Sequence, residues 1–202
     1  MGVYATKPKW QQALHPTVAL CVRFRVHPDV FTYGALILAA VAALALAQAG
    51  SNRRWLWLVP PSVLLRLVCN LMDGMVARAR GLADRWGEVK NEFGDRIADA
   101  LIFLSLGYAG YTEPRLAATA IALILLVSYL GVLSKAVGGS RVYGGIFGKG
   151  DRMISLAVFT IYPLYSGTLA SYNWYLGFAV LAATLTIVQR LRSMYEYAQS
   201  AR

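Results

Sequence analysis

The chain is poor in acidic residues, histidine and cysteine. Of its 202 residues only 10 are Asp or Glu, against 20 Lys and Arg, and it has two His and two Cys. Cys21 and Cys69 have no paired spacing, so we expect both to be reduced and a disulfide framework to be absent. Because His15 and His27 are remote from other soft ligands, a zinc-type site is also disfavoured.

Apolar residues dominate the chain instead. They make up 57% of the sequence, and the mean hydropathy of +0.49 is too high for an ordinary soluble domain. Residues 7–26 mix basic and apolar side chains at a spacing that favours an amphipathic helix in the membrane interface. We therefore expect an all-α integral membrane protein in two parts, an interfacial helix in residues 1–28 and a six-span domain in residues 29–202. The six predicted spans are residues 30–49, 55–79, 92–111, 114–136, 152–169 and 173–192.

The net charge of +10 predicts the orientation of these spans. A basic chain can bind nucleic acid, but here the Lys and Arg lie between apolar runs, so we expect a lipid bilayer as partner and no nucleic acid. With six spans and the N-terminus inside, most of the 20 basic residues fall on the cytoplasmic side. The prediction is an inner-membrane, multi-pass protein with both termini in the cytoplasm.

Six of the ten acidic residues fall between positions 70 and 99, at the predicted cytoplasmic ends of spans two and three. Asp95 and Asp99 share one helix face, and Asn70 and Asp73 are likewise neighbours on span two. Carboxylates at membrane depth are costly, so several of them predict a compensating cation in a water-filled cavity. Oxygen ligands on two facing helices suit Mg²⁺ or Mn²⁺. The open alternative is structural ion pairing, for example of Asp73 with Arg66 or Arg78.

A metal ion beside an arginine is typical of sites for phosphoryl-group transfer. In such sites a carboxylate takes the proton of the attacking hydroxyl. Arg78 follows Asp73 by about one turn, where it can meet a phosphate. Gly74 and Ala77 keep the same side of the helix almost free of side chains, so that a ligand can approach the backbone.

The pattern resembles the signature of the CDP-alcohol phosphotransferase family, D-x2-D-G-x2-A-R followed by a spacer and G-x3-D-x3-D. Here N-L-M-D-G-M-V-A-R is followed, after twelve residues, by N-E-F-G-D-R-I-A-D. The segment HPDVFT at 27–32 is similar to the family's Pro-Asn-x-x-Thr motif, with Asp29 in the Asn position. Asn70 stands in place of the first Asp and Asn91 in place of the second Gly.

The resemblance implies a phospholipid-biosynthetic transferase. Such enzymes move a substituted phosphate from a CDP-linked donor, usually CDP-diacylglycerol, to an acceptor alcohol and release CMP. Homodimers are common in families of this kind, so a homodimer is one assembly to test. The residues carried over are Asp73, Asp95, Asp99 and Asn70 as metal ligands, Asp99, Asp95 and Arg78 as catalytic residues, and Asp73, Gly74, Ala77 and Arg78 as the CDP site.

Asn70 is the main departure from the signature. An amide offers an oxygen but no charge, so the four acidic positions supply a formal charge of −3 here, and a weaker second metal is expected. Glu92 or Glu88, on the face of Asp95, is a candidate for the missing anion. Two rival functions stay open: a catalytically impaired CDP-lipid-binding protein and a divalent-cation carrier.

A basic cluster at the predicted inner ends of spans four and five is a candidate acceptor site. Lys135, Arg141 and Arg152 would bind a phosphorylated alcohol such as inositol phosphate or glycerol phosphate. The alternative is that these residues anchor the protein to anionic lipid. That alternative is favoured for Lys149, because it lies in a Gly-rich stretch, 138–152, that predicts a flexible loop.

Overall fold

The computed structural model describes residues 7–139 and 144–200, and in this part of the chain it is helical, with no β-strand. This confirms the predicted all-α fold. Seven α-helices are described, with short 3₁₀ helices before α3 and α7. Their bounds are α1 Lys7–Arg23, α2 Asp29–Gln48, α3 Val59–Ala79, α4 Arg85–Tyr108, α5 Pro114–Ala136, α6 Lys149–Ser166 and α7 Tyr172–Ser200.

Four helical segments are long and apolar enough to cross a membrane: Asp29–Gln48, Arg53–Ala79, Pro114–Ala136 and Leu169–Gln199. They coincide with four of the six predicted spans. The other two predicted spans coincide with α4 and α6, which are helical but begin with charged turns, and this lowers their apolar character. The chain is therefore a helical membrane protein in which α4 and α6 are more polar than the four apolar segments.

Local signals explain where α3 and α4 begin. Pro60 and Pro61 lie in the first turn of α3, where a missing N–H breaks no helical hydrogen bond. Asp84 is the N-cap of α4 and accepts a hydrogen bond from Gly87 N at 2.6 Å. This cap starts α4 at Arg85, seven residues before the predicted span at 92, so the charged segment ahead of that span is helical.

Helices α2, α3 and α4 pack around a common core that reaches α5, α6 and α7. Small side chains on α2, among them Ala39, Ala42 and Ala45, are fully buried and allow the backbones to approach closely. Helix α1 packs separately, with Val18 against Met72, Met75 and Val76 of α3. Helix α2 thus packs against both α3 and α4 and holds them in one bundle.

The second half of the Gly-rich stretch is not a flexible loop. Thr186 Oγ1 on α7 accepts a hydrogen bond from Phe147 N at 3.0 Å, and Arg190 Nε donates to Gly144 O at 2.9 Å. Gly145 has φ +115°, and a Cβ there would lie 2.3 Å from Thr186 Cγ2, so this close approach requires glycine. The expectation of a flexible segment through residue 152 is wrong, because contacts with α7 fix residues 144–148 and α6 begins at Lys149.

Candidate active site

Asn70 and Asp73 lie one turn apart on α3 and form one wall of the site. Asp73 is 4% exposed, and its Oδ1 accepts a hydrogen bond from Gly74 N at 2.5 Å. Its Oδ2 atom and the Nδ2 atom of Asn70 are buried without a hydrogen-bond partner among the described residues. Buried polar atoms are nearly always paired, so these two indicate a place where a ligand binds.

Arg78 continues the same wall toward the C-terminal end of α3. A Cβ added to Gly74 would lie 3.2 Å from Arg78 Nη1, so the guanidinium extends over the bare glycine. Arg78 is exposed and Ala77 is half-buried, which leaves this part of the helix accessible. Asp73, Gly74, Ala77 and Arg78, the predicted CDP residues, are thus together on one surface.

Asp95 and Asp99 on α4 form the opposite wall, and both are buried, at 7% and 0% exposure. The structure pairs them with basic side chains. Lys149 Nζ lies 2.5 Å from Asp95 Oδ2, and Arg152 Nη2 lies 2.6 Å from Asp99 Oδ2. Arg66 from α3 approaches both carboxylates, with Nη2 3.5 Å from Asp95 Oδ1 and 3.4 Å from Asp99 Oδ1.

The two walls face each other across a small cavity. Asn70, Arg66, Asp95 and Asn91 all line it, with Thr32 of α2 at its edge. Asp73 lies within electrostatic range of both Asp95 and Lys149. The site therefore combines carboxylate and amide groups from α3 and α4 with basic groups from α3 and α6.

The donor atoms fit a hard divalent cation. In the described residues no three His, Cys, Asp or Glu side chains enclose a metal position, because Arg66, Lys149 and Arg152 lie against the α4 carboxylates. Asp73 Oδ2 has no partner, however, and the nearby oxygen donors of Asn70 and Asp95 are the ligand type that Mg²⁺ and Mn²⁺ prefer. A metal that binds Asp95 Oδ2 would take the place of Lys149, while Arg66 stays 3.5 Å from Asp95 Oδ1.

Other predicted site residues form ion pairs at the edge of the site. Glu92 Oε2 lies 2.5 Å from Arg96 Nη2, and Arg96 Nη1 is 4.0 Å from Asp99 Oδ2. Glu92 therefore reaches the site through Arg96. Lys135 pairs with Glu88 at 2.5 Å, and both side chains are about half exposed. Arg141 lies outside the described residues.

Lys90 links α4 to the start of α2 by an ion pair. Its Nζ atom is 2.5 Å from Asp29 Oδ1, at the start of α2. Arg80 donates to Arg25 O and Val26 O, at 2.9 and 2.8 Å, which ties the segment before α2 to the end of α3. These contacts fix the region where the HPDVFT segment meets the acidic helices.

Arg66 and Lys149 lie where the sequence does not predict them. Arg66 is a possible partner of Asp73 by sequence, whereas the structure pairs it with Asp95 and Asp99 on α4. The signal for such a pair is the arginine itself, since an arginine inside an apolar span needs a nearby anion. The expectation that Lys149 is a lipid anchor is wrong, because Lys149 begins α6 and lies against Asp95.

Curated relatives cover almost the whole chain. It is 28% identical over 195 residues to the inner membrane protein YnbA of Escherichia coli (strain K12), with 96% of each chain covered. It is 27% identical over 201 residues to the phosphatidylinositol phosphate synthase of Mycolicibacterium smegmatis, covering 94% of this chain and 86% of that one.

Solved structures share the fold. Phosphatidylinositol phosphate synthase of Mycobacterium tuberculosis in complex with manganese and citrate is 24% identical, with a TM-score of 0.72 over 89% of this chain and 88% of that one. The same enzyme with CDP-DAG bound gives a TM-score of 0.68 at 23% identity, over 89% of this chain and 92% of that one.

The family assignment comes from the sequence itself. A sequence model of the family described as CDP-alcohol phosphatidyltransferase matches residues 25–188, which include both walls of the site and all three basic residues against α4. The predicted resemblance is therefore confirmed. The chain is a membrane phosphotransferase that belongs to the CDP-alcohol phosphatidyltransferase family.

Proposed function

We propose that the chain transfers a substituted phosphate from a CDP-linked lipid, such as CDP-diacylglycerol, to an acceptor alcohol and releases CMP. The observation that carries this proposal is the pair of facing walls, with Asp73, Gly74 and Arg78 on α3 opposite Asp95 and Asp99 on α4. The crystal structure of the M. tuberculosis enzyme with CDP-DAG has the same fold and supports a CDP-lipid as donor.

The α3 wall binds the donor in this proposal. The bare backbone at Gly74 and Ala77 admits the nucleotide, and the exposed guanidinium of Arg78 pairs with the phosphates. Asp73, Asp95 and Asp99 would hold Mg²⁺ or Mn²⁺, with Asn70 as a neutral oxygen ligand. The metal would supply positive charge to the diphosphate.

The acceptor hydroxyl then attacks the phosphorus that carries the diacylglycerol. The phosphoanhydride bond to CMP breaks, and CMP leaves with the bonding electrons. Asp99 accepts the hydroxyl proton. In the structure its Oδ2 atom is held by Arg152, so this role requires Arg152 to turn from Asp99 toward the acceptor.

The acceptor in this proposal carries a phosphate. At the start of α6, Lys149 pairs with Asp95 and Arg152 pairs with Asp99. When a phosphate enters, the two basic side chains can exchange these carboxylates for the phosphate oxygens. Relatives named as phosphatidylinositol phosphate synthases support an acceptor of this kind. Lys135, about half exposed and paired with Glu88, has the weaker claim, and Arg141 stays a prediction.

In the membrane we propose six spans, with α4 and α6 crossing inside the bundle and α1 lying in the interface. Helix α4 has 24 residues and measures roughly 36 Å, enough to cross a hydrocarbon core of about 30 Å. Helix α6 has 18 residues and measures roughly 27 Å, close to the lower bound of about 17 residues for a spanning helix. Both termini and the site then face the cytoplasm of an inner membrane, where CDP and soluble acceptors are available. The inner-membrane relative from E. coli supports this location.

The test is CMP release by the purified chain from CDP-diacylglycerol, with Mg²⁺ or Mn²⁺ and a pool of head alcohols and their phosphates. Metal-dependent CMP that disappears with a chelator and in Asp95→Ala supports the transferase. If the protein binds CDP-diacylglycerol but releases no CMP, and Asn70→Asp restores release, the chain is a CDP-lipid-binding protein that has lost its chemistry. No CMP from either protein contradicts the proposal.

A further inference from the structure

We propose that Arg66 supplies, as a built-in cation, part of the positive charge that a second metal ion would otherwise bring, so that the site binds one divalent ion. This inference rests on the proposed function and assigns a role to a residue outside the family signature. Arg66 precedes Asn70 by four residues on α3, one turn deeper in the bilayer than the amide that replaces a signature carboxylate.

The contacts of Arg66 place its charge between the two α4 carboxylates. Nη1 and Nη2 each lie 3.4 Å from Asp99 Oδ1, while Nη2 also donates to Asp95 O at 3.4 Å. Nη2 is 3.5 Å from Asp95 Oδ1 as well. A single guanidinium therefore contacts both residues that the signature uses as metal ligands.

Burial makes this cation permanent. Arg66 is 0% exposed, and Nη1 contacts the Met153 sulfur at 2.9 Å from the far side. An arginine enclosed at membrane depth keeps its charge and cannot leave its anions without a large cost. Arg152 is 1% exposed and is buried in the same way, whereas Lys149 differs because its side chain is 24% exposed at the first residue of α6, where an entering ion can displace it.

Charge balance then points to one metal. Asp73, Asp95 and Asp99 carry a formal charge of −3, and the two buried arginines, Arg66 and Arg152, reduce it to −1, so the site has charge for one divalent ion but not for two. A carboxylate at position 70, in a chain without Arg66, would return the charge to −3 and leave room for a second ion. Asn70 and Arg66 line the same cavity, so the missing anion and the additional cation act on the same volume. Together the two departures lower the negative charge by two units, the charge of one divalent ion.

The experiment counts Mn²⁺ bound to the full-length protein in detergent, by titration followed with electron paramagnetic resonance. We expect one Mn²⁺ per chain and an uncoupled spectrum for the wild type, for Asn70→Asp and for Arg66→Lys. The double variant Arg66→Met with Asn70→Asp is expected to bind two, with the spectrum of a magnetically coupled pair. Thermal melting of each variant checks that it is folded.

Two Mn²⁺ in the wild type would overturn the inference, whatever the variants do. A folded double variant that still binds one would also overturn it, since Arg66 would then be structural only. CMP release is measured separately. One Mn²⁺ without CMP refutes the proposed function and leaves the role of Arg66 intact, whereas CMP release with two Mn²⁺ does the reverse.

Discussion

The two walls of the site differ in how their polar groups are satisfied. On α3, Asp73 Oδ2 and Asn70 Nδ2 are buried with no partner among the described residues, and Arg78 is exposed. On α4, Asp95 and Asp99 are held by basic side chains at distances of 2.5 to 3.5 Å. The Asp73 carboxylate is therefore open to a ligand, whereas the α4 carboxylates are already neutralised by the chain itself, and the unpartnered atom on α4 is the amide oxygen of Asn91.

Because of this difference, the free energy of ligand binding differs between the two walls. A ligand on α3 satisfies atoms that burial has left unpaired, which is favourable from the start. A metal or a phosphate on α4 must replace ion pairs, so its net gain is the difference between two favourable arrangements. Residues of the α3 wall should thus affect activity with little effect on stability, and residues of the α4 wall should affect both.

The largest expected effect is that of Asp73→Asn. Removing this carboxylate takes away a proposed metal ligand, so we expect CMP release to fall about 10³-fold or more. The melting temperature should stay close to that of the wild type, because Asp73 has no ion-pair partner in the described part of the chain. Activity assays and thermal melting in the same detergent give both numbers.

Glu196→Gln is the matched control for Asp73→Asn. Glu196 pairs with Arg192 at 2.9 Å on the exposed end of α7, so the same loss of a carboxylate there should change neither property. A large drop in the melting temperature of Asp73→Asn would erase the contrast between the walls.

The next effect is on stability and concerns the Arg152–Asp99 pair. Arg152→Met leaves a buried carboxylate with less compensation, and the expected loss is about 3 kcal/mol. Adding Asp99→Asn to it should recover part of this loss, because the uncompensated charge is then gone. Denaturant unfolding of the two single variants and the double variant measures the coupling. Additive losses would mean that the pair is not the interaction that stabilises this wall.

A smaller effect on the open wall is expected for Gly74→Ala. The new methyl group would lie 3.2 Å from Arg78 Nη1 and push the guanidinium away from the bare backbone. We expect KM for the CDP-linked donor to rise about tenfold, equivalent to roughly 1.4 kcal/mol. Gly177→Ala on α7, where a Cβ meets nothing within 4 Å, shares the gain in helix propensity and should leave KM unchanged. Equal KM values for the two variants would remove Gly74 from the donor site.

Local sequence patterns predicted the helices and the shared faces within them. Spacing alone put Asp95 beside Asp99 and Asn70 beside Asp73, because one helix relates each pair. The start of α6 could not be predicted in this way. It depends on Thr186 and Arg190 of α7 fixing a Gly-rich segment about 40 residues earlier in the chain.

Ion pairs between helices were the least predictable part of the site. Arg66 and Asp99 are 33 residues apart, and Lys149 and Asp95 are 54 apart. Which carboxylate a buried cation meets depends on how α3, α4 and α6 pack, and hydrophobic periodicity does not contain that information. An intramembrane arginine does predict that an anion is near, but not which one.

The smallest expected effect is that of Lys135→Ala, and it sharpens the proposed acceptor site. Lys135 and Glu88 are about half exposed, so their ion pair contributes only about 0.5 kcal/mol, and KM for the acceptor should change by less than about twofold. Lys149→Met, which removes a cation from Asp95, should raise that KM clearly, whereas the exposed control Arg192→Ala should not. If Lys135→Ala raised KM for the acceptor as much as Lys149→Met does, the acceptor site would extend beyond the α4 wall to the surface between α4 and α5.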